Sequence, residues 1–364
     1  MSVPSPCPSS RNAPRFLVLL GMVALVPTLM GCASESPIPG PPGGEGALLP
    51  DLATFTGLPA APRASASSAF WDHWGDGRAE LSGYRVTIPR YGAPREGEMA
   101  LIYVTEPHDR RSWIKDDDAT SPHRVEVLKL IRSFQFLTGI YPYSVFSSVF
   151  SPVDRWGGEP FHPVRIHLDV QEWCGSVSHR VWPAQNRLRS LRLSYFASEG
   201  ETLREVALPE GTLFEDALLI QLRELDGPFH EGGDWEGWLV RELWSLRTGH
   251  GPVAPVEARI SRSSATRGPV PVTRFQIEAE GYQRTIDVEE AAPRRVLGWE
   301  TSTGEVAQLL STERLAYWSL NRLGDEGVRE ELGLNPEGFL PPGAGSACAL
   351  PDADSEPPEA RTGG

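Results

Sequence analysis

The sequence lacks the short motifs that most often reveal a function. It contains no G-x-S-x-G nucleophile elbow, no phosphate-binding loop, no dinucleotide-binding glycine fingerprint and no C-x-x-C pair. These absences remove the best-known signals of serine hydrolases, nucleotide-binding proteins, dehydrogenases and dithiol redox proteins. We therefore expect no cofactor, and any catalysis must use an arrangement without a familiar motif.

Positive charge is also scarce. The chain has 34 Lys and Arg residues against 48 Asp and Glu, which gives a formal net charge of −14 at pH 7. Removal of a signal over residues 1–31 takes away Arg11 and Arg15 and no acid, so the mature charge is 32 − 48 = −16. Such a surface repels the phosphates of nucleic acids and anionic lipid headgroups. We expect no nucleic-acid partner.

Cysteine is rare, with four residues in the whole chain. Cys7 lies in the predicted signal and Cys32 is the predicted lipidation site, which leaves Cys174 and Cys348. Two cysteines in an exported chain can form one disulfide, and the sequence leaves open whether these two pair. The fold is therefore not expected to depend on a disulfide framework.

The N-terminus has the pattern of a bacterial lipoprotein signal. Two arginines and no acid precede an apolar run over residues 16–30, and Cys32 follows immediately after a glycine. The run is too short, and too interrupted by Gly21 and Pro27, for a confident membrane-spanning helix. The sequence LMGC at its end resembles the lipobox, which implies cleavage before Cys32 and acylation of that cysteine.

The acyl chains would hold the protein on a membrane, because each buried methylene contributes about 0.8 kcal/mol. Ala33 follows the cysteine, and by analogy with the sorting rule of enterobacterial lipoproteins this favours the outer over the inner membrane. The alternatives are an ordinary signal peptide and an uncleaved anchor in which Cys32 is a chance residue. We expect an exported cell-envelope protein.

Composition divides the mature chain into three segments. Residues 32–68 are rich in Pro, Gly and Ser and predict a flexible tether after the lipidated cysteine. Residues 69–333 predict a single β-rich globular domain. Residues 334–364 are acidic and rich in Pro and Gly, which predicts a disordered tail.

Alternation of apolar and polar residues dominates the globular segment. Val164, Ile166, Leu168 and Val170 share one face of a predicted strand. The same pattern groups Leu191, Leu193 and Tyr195, then Phe275, Ile277 and Ala279, then Ile286 and Val288. Such alternation predicts antiparallel strands with one face exposed to water.

Helical signals are few. Thr212 and Glu215 form a capping-box pattern at the start of a predicted helix. The leucines that follow at one-turn spacing are Leu218, Leu222 and Leu225. A second predicted helix begins near Asp325 and ends at Gly333. We predict a mainly β fold, a large antiparallel curved sheet or half-barrel with one or two helices.

Several segments resemble an uncharacterised family of exported bacterial lipoproteins with HWGDG and QEWCG motifs, sometimes labelled "septum formation inhibitor Maf". The segments are residues 70–92, 98–106, 134–154 and 171–175. The Maf label is not supported, because the Ser-x-Ser-x-Arg-Arg motif of Maf nucleotide pyrophosphatases is absent. The order of elements also looks like the half-barrels of periplasmic lipoprotein carriers. That likeness implies a sheet wrapped around a helix and an apolar cavity.

Five polar residues in the two motifs or directly before them form the candidate functional cluster. They are Asp72, His73, Asp76, Glu172 and Cys174. Such side chains can bind a metal or form an acid–base pair, although no spacing here matches a strong zinc signature. The alternatives are a structural turn or ligand-binding rim at GDG, and a small packed side chain for the cysteine. No metal is predicted.

Tryptophan is abundant, with 11 residues. The simplest role of these side chains is to pack the core of a large β domain. The alternative is a ligand cavity. The candidate cavity residues are Trp71, Trp74, Trp173, Trp244, Trp299 and Trp318.

Together these features predict a non-catalytic, lipid-anchored envelope protein. The expected partners are the membrane, through acyl chains on Cys32, and a hydrophobic small molecule, a lipid or another envelope component. One alternative is an envelope hydrolase or metal-binding enzyme, which requires the HWGDG and QEWCG segments to converge in a polar cleft. The other is a purely structural or partner-binding lipoprotein.

Overall fold

The computed structural model describes residues 55–59, 61–118, 120–156, 159–230 and 233–338. The predicted signal peptide, the predicted lipidation site Cys32 and Cys348 lie outside the described residues. Within the described part, no helix is long and apolar enough to cross a bilayer.

Strands make up most of the described chain. The first eight are β1 (Ala79–Arg90), β2 (Ala93–Asp109), β3 (Ile114–Lys115), β4 (Arg124–Thr138), β5 (Tyr141–Pro152), β6 (Arg165–Glu172), β7 (Gly175–Pro183) and β8 (Arg187–Ser194). The others are β9 (Thr202–Ala207), β10 (Leu213–Phe214), β11 (Trp235–Val240), β12 (Pro255–Arg267), β13 (Val270–Ala279), β14 (Tyr282–Glu289), β15 (Val296–Thr301) and β16 (Val306–Leu315).

Four short α-helices accompany the strands in the described residues. They are α1 (Ser68–Trp74), α2 (Glu215–Gln221), α3 (Leu243–Thr248) and α4 (Val328–Glu331). Two 3₁₀ turns, at Tyr317–Ser319 and Asp325–Gly327, lie near the C-terminal end of the described chain. The second predicted helix therefore divides into a 3₁₀ turn and α4.

All sixteen strands of the described residues belong to one sheet, which does not close among them. Their order is β10-β11-β12-β13-β14-β15-β16-β1-β2-β4-β5-β6-β7-β8-β9, with β3 paired to β2 outside this path. Neighbours are antiparallel except for β10 and β11, which run parallel. The prediction of a mainly β fold with one large sheet is confirmed. One parallel pair makes the sheet mixed. The described residues contain four α-helices, whereas one or two were predicted.

The register gives the sheet two distinct ends. The turns β1–β2, β4–β5, β6–β7, β13–β14 and β15–β16 lie at one end, which we call the turn end. The turns β7–β8 and β12–β13 lie at the opposite end. Strand β1 joins β16 in the middle of the sheet, where the hydroxyl groups of Ser82 and Thr312 are 2.9 Å apart.

Helix α2 lies in the core, and every one of its residues is buried. The hydroxyl of Tyr103 donates a 2.9 Å hydrogen bond to the carbonyl of Leu219. The predicted capping box is wrong, because Thr212 donates to the carbonyl of Pro209 and the side chain of Glu215 is held by other partners. Burial on all sides, rather than one apolar stripe, stabilises this helix.

The strand faces are only partly as predicted. In β6 the residues Ile166, Leu168 and Val170 are buried, as their alternation indicated. Leu193 of β8 and Tyr195, the residue after this strand, are however 44% and 73% exposed. The face of β8 that points into the core carries the even-numbered residues, among them Leu188 and Ser190. The predicted apolar face, which carries Leu191 and Leu193, therefore lies on the outside of the sheet.

Two patches of the outer face are covered by the ends of the described chain. Phe55, within the segment predicted as a tether, is buried with Trp113, Trp156 and Trp182. Leu332 and Leu334 are buried against the start of β1 in a second patch. Packed residues therefore begin before residue 69 and continue past residue 333.

Candidate functional site

The HWGDG segment forms the end of a helix, where the sequence indicated only a turn. The side chain of Ser67 caps α1 by accepting a hydrogen bond from the amide of Phe70. At the other end of α1 the carbonyl of Trp74 accepts a hydrogen bond from the hydroxyl of Thr105. Seven residues are too few to show a helical period, and the polar cap was the only available signal.

Two of the three polar candidates in this segment contact Arg314. Its guanidinium donates a 2.6 Å hydrogen bond to Asp76 Oδ1 and a 2.7 Å bond to the carbonyl of His73. Slight burial raises the pKa of Asp76, but the hydrogen bonds from Arg314 and the Arg78 amide, with the charges of both arginines, together place the pKa below its usual value. Asp72 is exposed to solvent.

The imidazole of His73 lies beside a buried ion pair. Arg223 donates to both oxygens of Glu80, at 2.7 and 3.0 Å, and both side chains are at most 1% exposed. His73 Nε2 is 3.8 Å from Glu80 Oε2. Burial raises the pKa of Glu80, but Arg223 and His73 lower it to about 2. This arrangement supports a structural role for the segment, because it joins α1 to β1 and to the residues after α2.

The QEWCG segment forms the tight turn between β6 and β7. Glu172 pairs with Gly175, so the strand does not continue through Cys174. Cys174 is exposed, and its amide donates a 2.7 Å hydrogen bond to Glu172 Oε2. The carboxylate of Glu172 raises the pKa of the thiol. The cysteine is therefore neither packed in the core nor activated as a nucleophile.

The two motifs lie at opposite ends of the sheet. Neighbouring-strand pairs connect Glu80 to Tyr103, Tyr103 to Leu130, Leu130 to Val149 and Val149 to Ile166. Ile166 precedes Glu172 by six positions in β6, about 20 Å at ~3.3 Å per residue. The two motifs therefore do not share the polar cleft that the hydrolase hypothesis requires. In the described chain, no group of three metal-ligating side chains is close enough to hold a metal ion.

The six candidate cavity tryptophans do not surround one common space. Trp74, Trp244 and Trp299 are at most 4% exposed and pack in the main core cluster, and Trp71 packs against it from the side. Trp173 and Trp318 are 69% and 52% exposed. Trp173 lies at the turn end, whereas Trp318 follows β16 at the opposite end.

A cleft of about 520 Å³ opens at the turn end, between β6–β9 and the loop after α3. We call it the arginine cleft. Its lining residues are Leu168, Val177, His179, Arg192, Ser198, Glu199, Arg204, Leu246, Arg247, His250, Gly251, Pro252 and Val253. Its volume lies within the range of about 300–1,000 Å³ that is usual for small-molecule sites.

Positive charge exceeds negative charge in the arginine cleft. Three guanidinium groups face one carboxylate, that of Glu199, so the balance is 3 − 1 = +2 with neutral imidazoles. Arg247 donates to Glu199 Oε1 at 2.6 Å, and Arg192 donates to the Glu199 carbonyl at 2.6 Å. The Nε atoms of both arginines are buried without a hydrogen-bond partner. Arg204 is exposed on the edge strand β9.

Two histidines add polar groups of different character. His179 is buried, with a ring nitrogen 2.7 Å from the Ser190 hydroxyl. Burial and the nearby charge of Arg192 lower the pKa of His179 to about 4, so this imidazole is neutral at pH 7. His250 is exposed, and its Nδ1 is 3.3 Å from Glu199 Oε1.

The cleft also has an apolar floor. Leu168 and Val177 are buried side chains of β6 and β7. Leu246 of α3 and Val253 of the following loop line it as well. An apolar floor below several guanidinium groups fits a ligand with an apolar body and one anionic group.

A sealed cluster of charged residues holds α3 in place. Arg284 Nη1 lies 3.2 Å from Glu215 Oε1 and 3.4 Å from Glu242 Oε1, and Arg132 also donates to Glu242. The amide of Leu243, the first residue of α3, donates to Asp216 Oδ2 at 3.1 Å. The cluster fixes the start of α3, whose last turn supplies Leu246 and Arg247 to the cleft.

Sequence reasoning missed the arginine cleft. Its residues come from two stretches, 168–204 and 246–253, that the fold brings together. The only available signals were the arginine-rich sequence RLRSLRLS of β8 and the loop sequence RTGHGP. Neither has a spacing that identifies a ligand.

No protein-family model, no curated protein and no solved structure matches this chain. The function is therefore inferred from the site itself.

Proposed function

We propose that this protein is a lipid-anchored cell-envelope protein that binds a small anionic amphiphile in the arginine cleft. The observation that carries the proposal is the set of three guanidinium groups, Arg192, Arg204 and Arg247, above an apolar floor. Only Glu199 opposes their charge. A guanidinium group binds carboxylate and phosphate oxygens with similar geometry, so either headgroup fits.

Anchoring at the membrane is the second part of the proposal. The lipobox-like sequence before Cys32 supports acylation of that cysteine, and Ala33 favours the outer membrane. The membrane would then be both the location of the protein and a source of amphiphilic ligands. The predicted hydrophobic ligand becomes more specific, because Glu199 pairs with Arg247 and a purely apolar molecule would leave Arg192 and Arg204 without a counter-charge.

Binding of medium-chain amphiphiles by calorimetry tests the proposal. The probes are laurate and dodecyl phosphate below their critical micelle concentrations, with neutral dodecanol as the reference, and the protein is the chain from residue 50 to 364. We expect binding of both anions and little binding of dodecanol. Arg204→Gln should weaken anion binding about tenfold or more, because a hydrogen bond to a charged group contributes about 1.5–3 kcal/mol.

Arg85→Gln is the matched control, because Arg85 is an exposed arginine of β1 outside the cleft lining. Equal losses in the two variants would show that arginines anywhere on the surface, rather than those of the cleft, attract the anions. Absence of anion binding to a folded wild-type protein would favour the purely structural or partner-binding alternative.

A further inference from the structure

Four successive turns of one half of the sheet present large apolar side chains to solvent. Tyr91 in the β1–β2 turn is 58% exposed, and Ile140 in the β4–β5 turn is 82% exposed. Trp173 in the β6–β7 turn is 69% exposed, and Tyr195, just after β8, is 73% exposed. We call these four residues the apolar rim. All four lie at the turn end.

The spacing of the strands makes the rim a continuous edge. Adjacent strands lie about 4.8 Å apart, so neighbouring two-strand turns are separated by about 10 Å and the four turns span roughly 30 Å. The turns of the other half differ: residues 280–281 and 302–304 contain no large apolar side chain. The rim is therefore specific to the half that also contributes β6–β9 to the arginine cleft.

Contacts below the rim hold its aromatic rings in place. Trp173 stacks on Tyr141 with ring centroids 6.1 Å apart. The hydroxyl groups of Tyr91 and Tyr143 are 2.6 Å apart. The ring of Tyr195 lies directly on Gly175, where an added Cβ would come within 2.5 Å of it. The rings are thus supported from below while their outer surfaces face solvent.

The chemistry of the rim fits a lipid interface. Tight turns usually carry Gly, Asn, Asp, Ser or Pro, so four bulky residues at turns are unusual. Tyr and Trp combine an apolar ring with a polar group and concentrate where membrane hydrocarbon meets the headgroups. Residues 139–141 of the β4–β5 turn carry no charge. In the turn after β8 the acids Glu199 and Glu201 follow Tyr195 by four and six positions, and the charge of Glu199 is paired with Arg247.

The chain before the described residues is long enough to allow this contact. From Cys32 to Phe55 there are 23 residue steps, which reach about 80 Å at most. Strand β6, with eight residues, is about 26 Å long. An acyl anchor on Cys32 therefore leaves the turn end free to reach the same bilayer.

We infer that the apolar rim docks on the headgroup region of a zwitterionic bilayer, with the mouth of the arginine cleft at the membrane surface. This inference rests on the proposed acyl anchor. The excess of acidic residues disfavours strongly anionic bilayers. Docking would let an amphiphile pass between bilayer and cleft with its apolar part shielded from water.

Fluorophore quenching on vesicles tests the docking, because the exposed thiol of Cys174 lies in the rim beside Trp173. The mature lipidated protein, with Cys348→Ser, is labelled at Cys174 with an environment-sensitive fluorophore and reconstituted on phosphatidylcholine vesicles. We expect brominated phosphatidylcholine to quench this label at least twice as strongly as a label at the opposite end. The second label uses Gln185→Cys, in the β7–β8 turn, combined with Cys174→Ser and Cys348→Ser.

Variants identify the residues responsible. Trp173→Ser combined with Tyr195→Ser should reduce quenching at Cys174 by half or more while the protein still floats with the vesicles. Trp318→Ser, which removes an exposed tryptophan from the opposite end, should leave quenching unchanged. Circular dichroism verifies that each variant is folded, and the single Trp173→Ser variant replaces the pair if the pair is not.

The outcomes separate the two proposals. Flotation with equal quenching at the two labels, or with no quenching at Cys174, would overturn the docking and leave the anchor intact. Failure to float would refute the acyl anchor and the docking that rests on it. Equal effects of the rim variant and Trp318→Ser would also overturn the assignment of the rim.

Discussion

Asp216 is a buried carboxyl group of α2, with 8% of the residue exposed. Burial and the neighbouring Glu242 raise the pKa of Asp216 to about 8. Glu215, the adjacent residue, has the opposite environment. Burial raises its pKa, but the charges of Arg284 and Arg241 lower it by more, so the pKa lies below its usual value. The pKa values of two consecutive carboxyl groups are therefore shifted in opposite directions. Asp216 is protonated at neutral pH, whereas Glu215 is ionised.

The protonated form of Asp216 makes stability depend on pH in a defined direction. In the unfolded chain the group loses its proton near pH 4, whereas in the folded protein it keeps the proton until about pH 8. Between these values the unfolded state binds fewer protons, so the free energy of unfolding falls as pH rises. Asp216→Asn should remove this slope, so its stability relative to wild type should rise by roughly 3–4 kcal/mol between pH 5 and pH 8, at ~1.4 kcal/mol per pH unit.

Urea denaturation at pH 5, 6.5 and 8 measures this difference. The asparagine carbonyl can still accept the hydrogen bond of the Leu243 amide, so the variant is close to isosteric. Asp72→Asn, at an exposed position of α1, is the control and should follow the wild-type profile. Parallel profiles for wild type and Asp216→Asn would contradict the assignment.

At the residue scale the sequence identified polar side chains that could be functional, but not the residues that they contact in the fold. His73 and Asp76 were visible as a motif, yet the residue that contacts both, Arg314, is 241 positions from His73 in the chain. Cys174 was visible too, but its role depends on a turn that interrupts the strand. The arginine cleft remained hidden because its charges converge only through the pairing of β8 with β9 and the packing of α3 beside them.

Elements on the outer face depend on close approach to the sheet. The segment after α4 packs against β1 at Gly83, where an added Cβ would lie 2.0 Å from the carbonyl oxygen of Leu332. The amide of Asn335 donates a 3.1 Å hydrogen bond to Glu98 on the neighbouring strand β2. Only glycine at position 83 leaves room for this backbone to lie on the sheet.

Gly83→Ala should displace the C-terminal segment from β1. We expect a loss of about 1–3 kcal/mol in the free energy of unfolding, as for other substitutions that overpack a tight site. Trypsin should also cleave more rapidly after Arg329, in α4. Gly327→Ala is the control, since an added Cβ at this residue would meet no atom within 4 Å and its φ is −57°. Equal trypsin sensitivity in the two variants would contradict this packing.

The elements were predictable where local pattern and tertiary environment agree. In β6, β13 and β14 the apolar parity faces the core, and the predicted strands are present. In β8 the more apolar face points outward, because Ser190 and Arg192 on the inner face have polar partners around the cleft. Helix α2 was placed correctly, but its start was explained wrongly, since buried arginines rather than a cap hold Glu215.

At the scale of the whole molecule, the packed body extends beyond the predicted domain. The ring of Phe55 lies under two guanidinium groups, with centroid distances of 4.8 Å to Arg187 and 4.1 Å to Arg189. It also fills a cluster with three tryptophans on the outer face. The composition of residues 32–68 concealed this contact, because a single aromatic residue makes little difference to a Pro- and Gly-rich average.

A chain that begins at residue 50 should be more stable than one that begins at residue 61, when both end at residue 364, because only the first retains Phe55 while both retain the Ser67 cap of α1. We expect a difference of about 3 kcal/mol, comparable to the removal of a buried phenylalanine. Chemical denaturation of the two chains measures it. Removal of residues 339–364 serves as the control and should leave the midpoint unchanged. Equal midpoints for the first pair would show that Phe55 contributes no stability.

The junction of β1 with β16 sets the order in which the molecule can assemble. Ser82 and Thr312, partners across this junction, are separated by 230 positions in the chain. A chain that emerges N-terminus first, from a ribosome or through a membrane channel, can form the β1–β9 meander early, but one long edge of that meander stays open until β16 arrives. During that interval the open edge can pair with a strand of another molecule. Synthesis of residues 208–315, between the end of β9 and the end of β16, thus determines how long a nascent molecule needs a chaperone's protection.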